Sequence, residues 1–243
     1  MADIRLIEIR EEILADNKDL ADEIRNALQR NTVFMVNLMA SPGGGKTSLI
    51  VYTIRELKDV FRIVVIEGDI DSVVDAEKVA GEGVGAIQLK TGGFCHLNAP
   101  MIRMALDEMD LKNLDLIMIE NIGNLVCPAE FDTGAHKKVV ILSVPEGDDK
   151  PLKYPLIFSI CDALVINKID YLGVAEFDVD VFKERVLKLN PEIRIIEVSC
   201  KTGEGVQAWI RWLTDEINAY RQPHSHSNGT SSKPFRNTVS PQK

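Results

Sequence analysis

The stretch VFMVNLMASPGGGKTSL occupies residues 33–49. Its first half is a near-continuous apolar run, as expected of a strand covered on both faces. Its second half, ASPGGGKTS at 40–48, lies between that run and a helical pattern. Glycines in such a loop let backbone N–H groups turn inward around phosphate oxygens, and the following helix adds its positive end. The spacing assigns Gly43, Gly44, Gly45 and Ser48 to the phosphate cradle, Lys46 to the β- and γ-phosphates, and Thr47 to Mg2+. The usual pattern opens on Gly, and Ala40 stands there instead. The departure is small, because the glycines at 43, 44 and 45 keep the loop's freedom.

Strand and helix patterns alternate on the C-terminal side of this loop. Strands are predicted over 62–67, 86–89, 114–120, 137–143, 163–167 and 194–198, beside the first over 33–39. Helices are predicted over 46–57, 75–81, 99–109, 154–160, 179–189 and 206–220. Apolar strands alternating with helices imply an α/β fold, a three-layer P-loop NTPase with a mainly parallel sheet. The GTPase domain is expected over 31–221. On the N-terminal side, residues 1–30 form a separate amphipathic helical segment, with Ile4, Ile7, Ile13, Leu14, Leu20, Ile24 and Leu28 among charges and a break expected near Asn17. That helix is either a lid, arm or partner element, or simply packed on the core. Residues 222–243 are poor in large apolar groups and read as a disordered or vector-derived tail, with His224 and His226 in solvent.

The 243 residues carry a net charge of -9, with 45% apolar and 27% charged. An acidic chain is unsuited to a nucleic-acid backbone or an anionic membrane surface. No apolar run reaches the roughly 18 residues of a membrane span, and the charged N-terminus has no signal-peptide core, so a cytoplasmic location is expected.

Asn167, Lys168 and Asp170, in NKID at 167–170, directly follow an apolar strand. An acceptor-only carboxylate at Asp170 suits guanine, which presents N1–H and an exocyclic amine, and rejects adenine, which leaves it unpaired. Asn167 would hold the loop, and the Lys168 stem would cover the base. Ser199, Cys200 and Lys201 follow the last strand, where a second loop can close over guanine. Glu120 ends the strand LDLIMIE and Gly123 follows it. This pair suits an acid near Mg2+ and an amide for the γ-phosphate. Asp69 and Asp71 end another strand and are Mg2+ candidates, and Asp75 is a candidate for orienting water. For Asp71 and Asp75 the alternative is a solvated loop acid.

Of the four cysteines, Cys161 falls in an apolar stretch and reads as core. Cys95 and His96 stand in one loop and Cys127 in another. Thiolates and imidazole suit Zn2+ and Ni2+. Adjacent Cys95 and His96 are not expected to share one ion with Cys127 unless their loop is extended. A two-fold dimer could build a four-thiolate site from Cys95 and Cys127 of each subunit. Spacing alone equally allows buried structural cysteines.

NLMASPGGGKTSL at 37–49, TGGFCHLNAPM at 91–101, ENIGNLVCPAEFDTG at 120–134 and SVPEGDDKPLKYP at 143–155, with NKID and SCKTGEG, resemble the hydrogenase nickel-incorporation GTPases, the HypB family. The resemblance covers about residues 30–215. It implies a GTP-hydrolysing metallochaperone of the dimerising P-loop class that binds GTP, GDP and Mg2+. It also implies Ni2+ or Zn2+ held by Cys95, His96 and Cys127 between subunits. The implied partners are a second copy, engaged in a GTP-dependent way, a small zinc-containing hydrogenase accessory protein and the hydrogenase large subunit. Urease and cobalamin relatives share the GTPase parts, but the urease type carries Cys-Pro-His where Cys95 and His96 adjoin. Some members carry a nickel-binding N-terminal cysteine motif or a His-rich stretch; here no cysteine precedes Cys95 and no histidine precedes His96.

Overall fold

The computed structural model describes residues 9–69 and 74–222, with side chains from Leu14 onward. Ile4, Ile7, Asp71, His224 and His226 lie outside the described residues. In chain order the elements are α1 (Ile9–Asn31), β1 (Phe34–Ala40), α2 (Lys46–Leu57), β2 (Ile63–Asp69), α3 (Val74–Gly81) and β3 (Gly85–Lys90). They continue with α4 (Ala99–Asp107), β4 (Leu116–Glu120), α5 (Cys127–Glu130), β5 (Lys137–Ser143), α6 (Lys150–Lys153) and α7 (Pro155–Ile160). The last are β6 (Ala163–Asn167), α8 (Val179–Leu189), β7 (Arg194–Glu197) and α9 (Val206–Arg221).

The strands form one parallel sheet in the order β3-β2-β4-β1-β5-β6-β7. Side chains alternate across it, as the strand period of two requires. Val36 and Leu38 face a core closed by α2 and α9, where Trp209 and Leu213 are buried. The Trp209 indole N–H donates to Thr53 Oγ1 at 2.8 Å, which satisfies the ring's one polar atom. On the other face, Met35, Ile117 and Ile119 pack under α1 and α4, and Val140, Leu164 and Ile166 pack under α7 and α8. Local signals set several boundaries. Asn98 caps α4 by accepting from the Met101 N–H at 3.2 Å, and Asp178 caps α8 through the Val181 N–H at 2.9 Å. The expected helices over 46–57 and 179–189 match α2 and α8 end to end.

The break expected near Asn17 is absent, and α1 runs straight through it. Asn17 is buried, and both ends of its amide are used. Its Oδ1 accepts from the Ala99 N–H at 2.9 Å, and its Nδ2 donates to the Asp132 carbonyl at 2.9 Å. The polar residue marks a clasp between α1 and the body, with Ala21, Ile24 and Leu28 packed beside it. Among the described residues no helix is long and apolar enough to cross a membrane.

Candidate functional site

The carboxyl ends of β1, β2, β4 and β6 meet at one edge of the sheet, where open parallel sheets bind ligands. A cleft of about 600 Å3 opens there, lined by Gly43, Gly45, Lys46, Thr47 and Ser48 on one side and by Asp69, Asp75, Glu120 and Gly123 on the other. Gly45 has φ 101°, and a Cβ there would lie 2.1 Å from Asn167 Nδ2. Only glycine fits at this position, which caps α2 with no side chain covering the first-turn N–H groups. Those N–H groups and the buried Lys46 face the cleft, forming a cradle for phosphate. Gly123 abuts the same loop, since a Cβ there would meet Pro42 at 2.9 Å.

Thr47 Oγ1 donates to Glu120 Oε1 at 2.8 Å. Register places Glu67 directly beside Glu120 on the neighbouring strand. Both are buried. Burial, reinforced by the Glu120 charge, pushes Glu67 up to about 9, so Glu67 carries a proton at neutral pH. Burial also raises Glu120, against the pull of Lys46 and Thr47. The two carboxyls hydrogen-bond to each other, and beyond that pairing Glu67 Oε1 and Glu120 Oε2 are buried without another partner. Two crowded carboxyls with orphaned oxygens beside a threonine hydroxyl and a phosphate cradle fit a hard divalent cation such as Mg2+. Asp69 ends β2 at the cleft, and its carbonyl accepts from the Thr91 N–H at 3.0 Å. Asp75 lies in the first turn of α3 and pairs with Lys78 at 2.8 Å.

The base side is stitched to the phosphate side. Asn167 Nδ2 donates to the Gly44 carbonyl at 3.0 Å, and Lys168 Nζ donates to the Gly43 carbonyl at 2.8 Å. Asn167 Oδ1 accepts from the N–H groups of Lys168 and Cys200, at 2.7 and 3.3 Å. Ser199 Oγ donates to Asp170 Oδ1 at 2.7 Å, and Lys201 stands 3.9 Å from Asp170 Oδ2. Asp170 therefore keeps acceptor capacity for a base. Burial, and then Asp170, push the Cys200 thiol up to about 11, leaving it protonated and unreactive.

The ligand atoms of Cys95, His96 and Cys127 lie within 4.8 Å of one another. Cys95 and Cys127 Sγ are 2.9 Å apart, and Cys95 Sγ is 3.8 Å from His96 Nδ1. The expectation that adjacent Cys95 and His96 could not both join Cys127 is corrected. The chain turns at Gly92 and Gly93, both with positive φ, and bends at 95–96, so neighbouring side chains converge. His96 is buried with its ring stacked on Phe131 at 4.0 Å, and burial lowers its pKa, which favours the neutral, ligating imidazole. The hydrogen bond with Cys95, followed by burial, raises the Cys127 thiol. Cys95 is exposed, so the cluster opens to solvent. Soft thiols with one imidazole suit Zn2+ or Ni2+. Cys161 is buried in the core.

Sequence reasoning missed Glu67 and Asn121. Each is a polar residue at the end of an apolar strand run, which is the signal that could have found them. Asn121 is fully buried and hydrogen-bonded to Asn37 and to the Leu97 N–H.

A parallel sheet with a phosphate cradle at its central strand, an acidic strand end opposite it and a base-side loop with an acceptor carboxylate define a P-loop nucleotide-binding protein of the GTPase class. Residues 34–197 match the family described as CobW/HypB/UreG, nucleotide-binding domain. The hydrogenase maturation factor HypB of Rhizobium leguminosarum bv. viciae is 44% identical over 91% of this chain and 74% of its own length. The crystal structure of HypB from Archaeoglobus fulgidus superposes with a TM-score of 0.79 at 41% identity, covering 84% of this chain and 100% of that one. HypB from Helicobacter pylori in complex with nickel gives a TM-score of 0.79 at 39% identity, covering 86% of this chain and 99% of that one. The chain belongs to the HypB branch of the CobW/HypB/UreG family.

Proposed function

We propose that the protein is a GTP-hydrolysing nickel metallochaperone that delivers Ni2+ to the large subunit of a nickel–iron hydrogenase during maturation. One observation carries this reading. A single loop leaves the phosphate-side carboxylate Glu120 and ends at the thiol of Cys127, inside a thiol–imidazole cluster. The relatives' descriptions name hydrogenase maturation, and one names nickel.

In this reading Gly43, Gly44, Gly45, Lys46 and Ser48 cradle the β- and γ-phosphates of GTP. Thr47, Asp69 and Glu120 hold Mg2+, which when bound neutralises charge on the transferring phosphoryl group. Asp75 orients the attacking water, and the Gly123 N–H meets the γ-phosphate. Asn167, Lys168 and Asp170 select guanine, with Ser199, Cys200 and Lys201 closing over it. Among the described residues no arginine lines the cleft. Turnover of the isolated chain is therefore slow, since an arginine finger contributes roughly 10³–10⁵ in rate where present.

Cys95, His96 and Cys127 take the cargo Ni2+, with Zn2+ as its competitor for the same ligands. Three ligands from one chain leave the ion open, and a second copy across a GTP-dependent homodimer completes it. The further partners are the small zinc-containing accessory protein and the hydrogenase large subunit, met in the cytoplasm.

Phosphate release from GTP and ATP, with nickel retention measured on the same preparation, tests the reading. Slow release from GTP alone with about one nickel per chain or per dimer is expected. Nickel retention without turnover would replace it with a metal-responsive GTP-binding module. Turnover without retention would point to a GTPase for another client, including the urease and cobalamin types.

A further inference from the structure

Asn121 follows Glu120 directly, where β4 leaves the sheet. Its side chain has no solvent exposure. Its Oδ1 accepts from the Leu97 N–H at 3.0 Å and from the Ile122 N–H at 2.9 Å. Its Nδ2 donates to Asn37 Oδ1 at 3.2 Å. Its own N–H donates to the Leu38 carbonyl at 3.0 Å. One amide thus joins three segments: the strand that runs into the phosphate loop, the loop leaving Glu120, and the residue that follows His96.

Leu97 is gripped a second time. Its side chain lies over Gly68, so closely that a Cβ on Gly68 would meet Leu97 Cδ1 at 2.7 Å. Gly68 separates Glu67 from Asp69 at the cleft. The segment leaving His96 is therefore fixed to both acidic strand ends, through its backbone at β4 and its side chain at β2.

We propose that Asn121 is the positioning residue that couples the nucleotide cleft to the Cys95–His96–Cys127 cluster through the Leu97 N–H. This rests on reading the cleft as a GTP site and the cluster as a metal site. A buried amide cannot leave a buried N–H behind without orphaning it. A γ-phosphate that shifts the 120–123 loop therefore carries Leu97, and with it His96. A moved imidazole changes the metal's ligand geometry and so its affinity. By linkage, metal changes nucleotide affinity by the same factor.

The test uses the full chain with Mg2+ and either GDP or a non-hydrolysable GTP analogue. Nickel affinity is read from thiolate-to-metal charge-transfer absorption, with thermal melting as a check on folding. For the unaltered chain, affinities in the two nucleotide states should differ by about 5–150-fold. In Asn121→Ala the ratio should fall to within about two-fold, while nickel and GDP each still bind. Asn121→Asp keeps the acceptor for Leu97 and loses only the donor to Asn37, so its ratio should stay near that of the unaltered chain. If Asn121→Ala does not fold, Asn121→Leu, which fills the space without an acceptor, carries the test. An unaltered ratio in whichever of the Ala and Leu variants folds overturns the proposal, as does a ratio of one in a parent chain that binds both ligands. A parent chain that binds no nickel, or no GTP, instead fails the functional reading beneath it.

Discussion

The nucleotide cleft and the thiol cluster are built in different ways. The cleft's phosphate and base loops are fixed to each other before any ligand arrives, through Asn167 to Gly44, Lys168 to Gly43 and Ser199 to Asp170. The cluster stands on two turn-rich segments and presents Cys95 to solvent. Its ring is held by stacking on Phe131 and its backbone by side-chain amides from Asn17, Asn121 and Asn124. A preorganised pocket binds its ligand at little reorganisation cost. A cluster that opens to solvent through Cys95 suits cargo that must leave. The cleft also holds a crowded pair, Glu67 and Glu120, at the ends of neighbouring strands.

The largest expected effect separates the two regions outright. Replacing Cys95 and Cys127 together by Ala should abolish stoichiometric nickel retention while leaving GTP binding intact, measured by metal analysis and nucleotide titration. Loss of GTP binding in that variant would show that the regions are one structural unit.

Lys46→Ala comes next. Removing a buried cation from a phosphate site should weaken nucleotide binding by about 2–5 kcal/mol, about 30-fold or more. Nickel binding without nucleotide should be unchanged, and calorimetry with each ligand checks both halves.

Asp170→Asn should cost guanine binding about 1–3 kcal/mol and shift preference toward xanthosine nucleotides. Competition between GTP and XTP reads the switch. A variant that still prefers GTP and excludes xanthosine would remove Asp170 from base reading.

The smallest effect concerns the crowded pair. Glu67 is pushed up to about 9 in the folded chain from an ordinary 4.5. A raised pKa means the folded state holds the proton more tightly than the unfolded state. The stability linked to it is full below about 4.5 and is lost as pH rises toward about 9. Glu67→Gln should therefore raise the Tm of the nucleotide-free protein by a few degrees at pH 8, and the gain should shrink by pH 5.5. An equal gain at both pH values would mean that Glu67 is not protonated as described.

The cleft was legible in sequence because its chemistry is contiguous. Lys46 and Thr47 follow their glycines, and Asn167 and Asp170 share one tetrapeptide. Helix α2 was readable end to end because glycine precedes it and its apolar period is regular. For Glu67 the sequence offers only a polar residue ending an apolar run, and strand register is what sets it beside Glu120. Asn17 was misread as a break, since a polar residue on a buried helix face looks like an interruption until its partners at Ala99 and Asp132 are known. The convergence of Cys95 and His96 depends on a glycine turn whose φ values no spacing rule supplies. Contiguous motifs thus reported the cleft, and the geometry of the cluster needed three dimensions.

Diffraction from crystals grown with nickel and a GTP analogue, with data collected at the nickel edge, locates the metal. An anomalous peak bonded to Cys95 Sγ, Cys127 Sγ and a His96 ring nitrogen is expected, with the analogue in the cleft and a second copy facing the same ion. A nickel peak elsewhere, with these three side chains unliganded while nucleotide fills the cleft, would contradict the proposed nickel site.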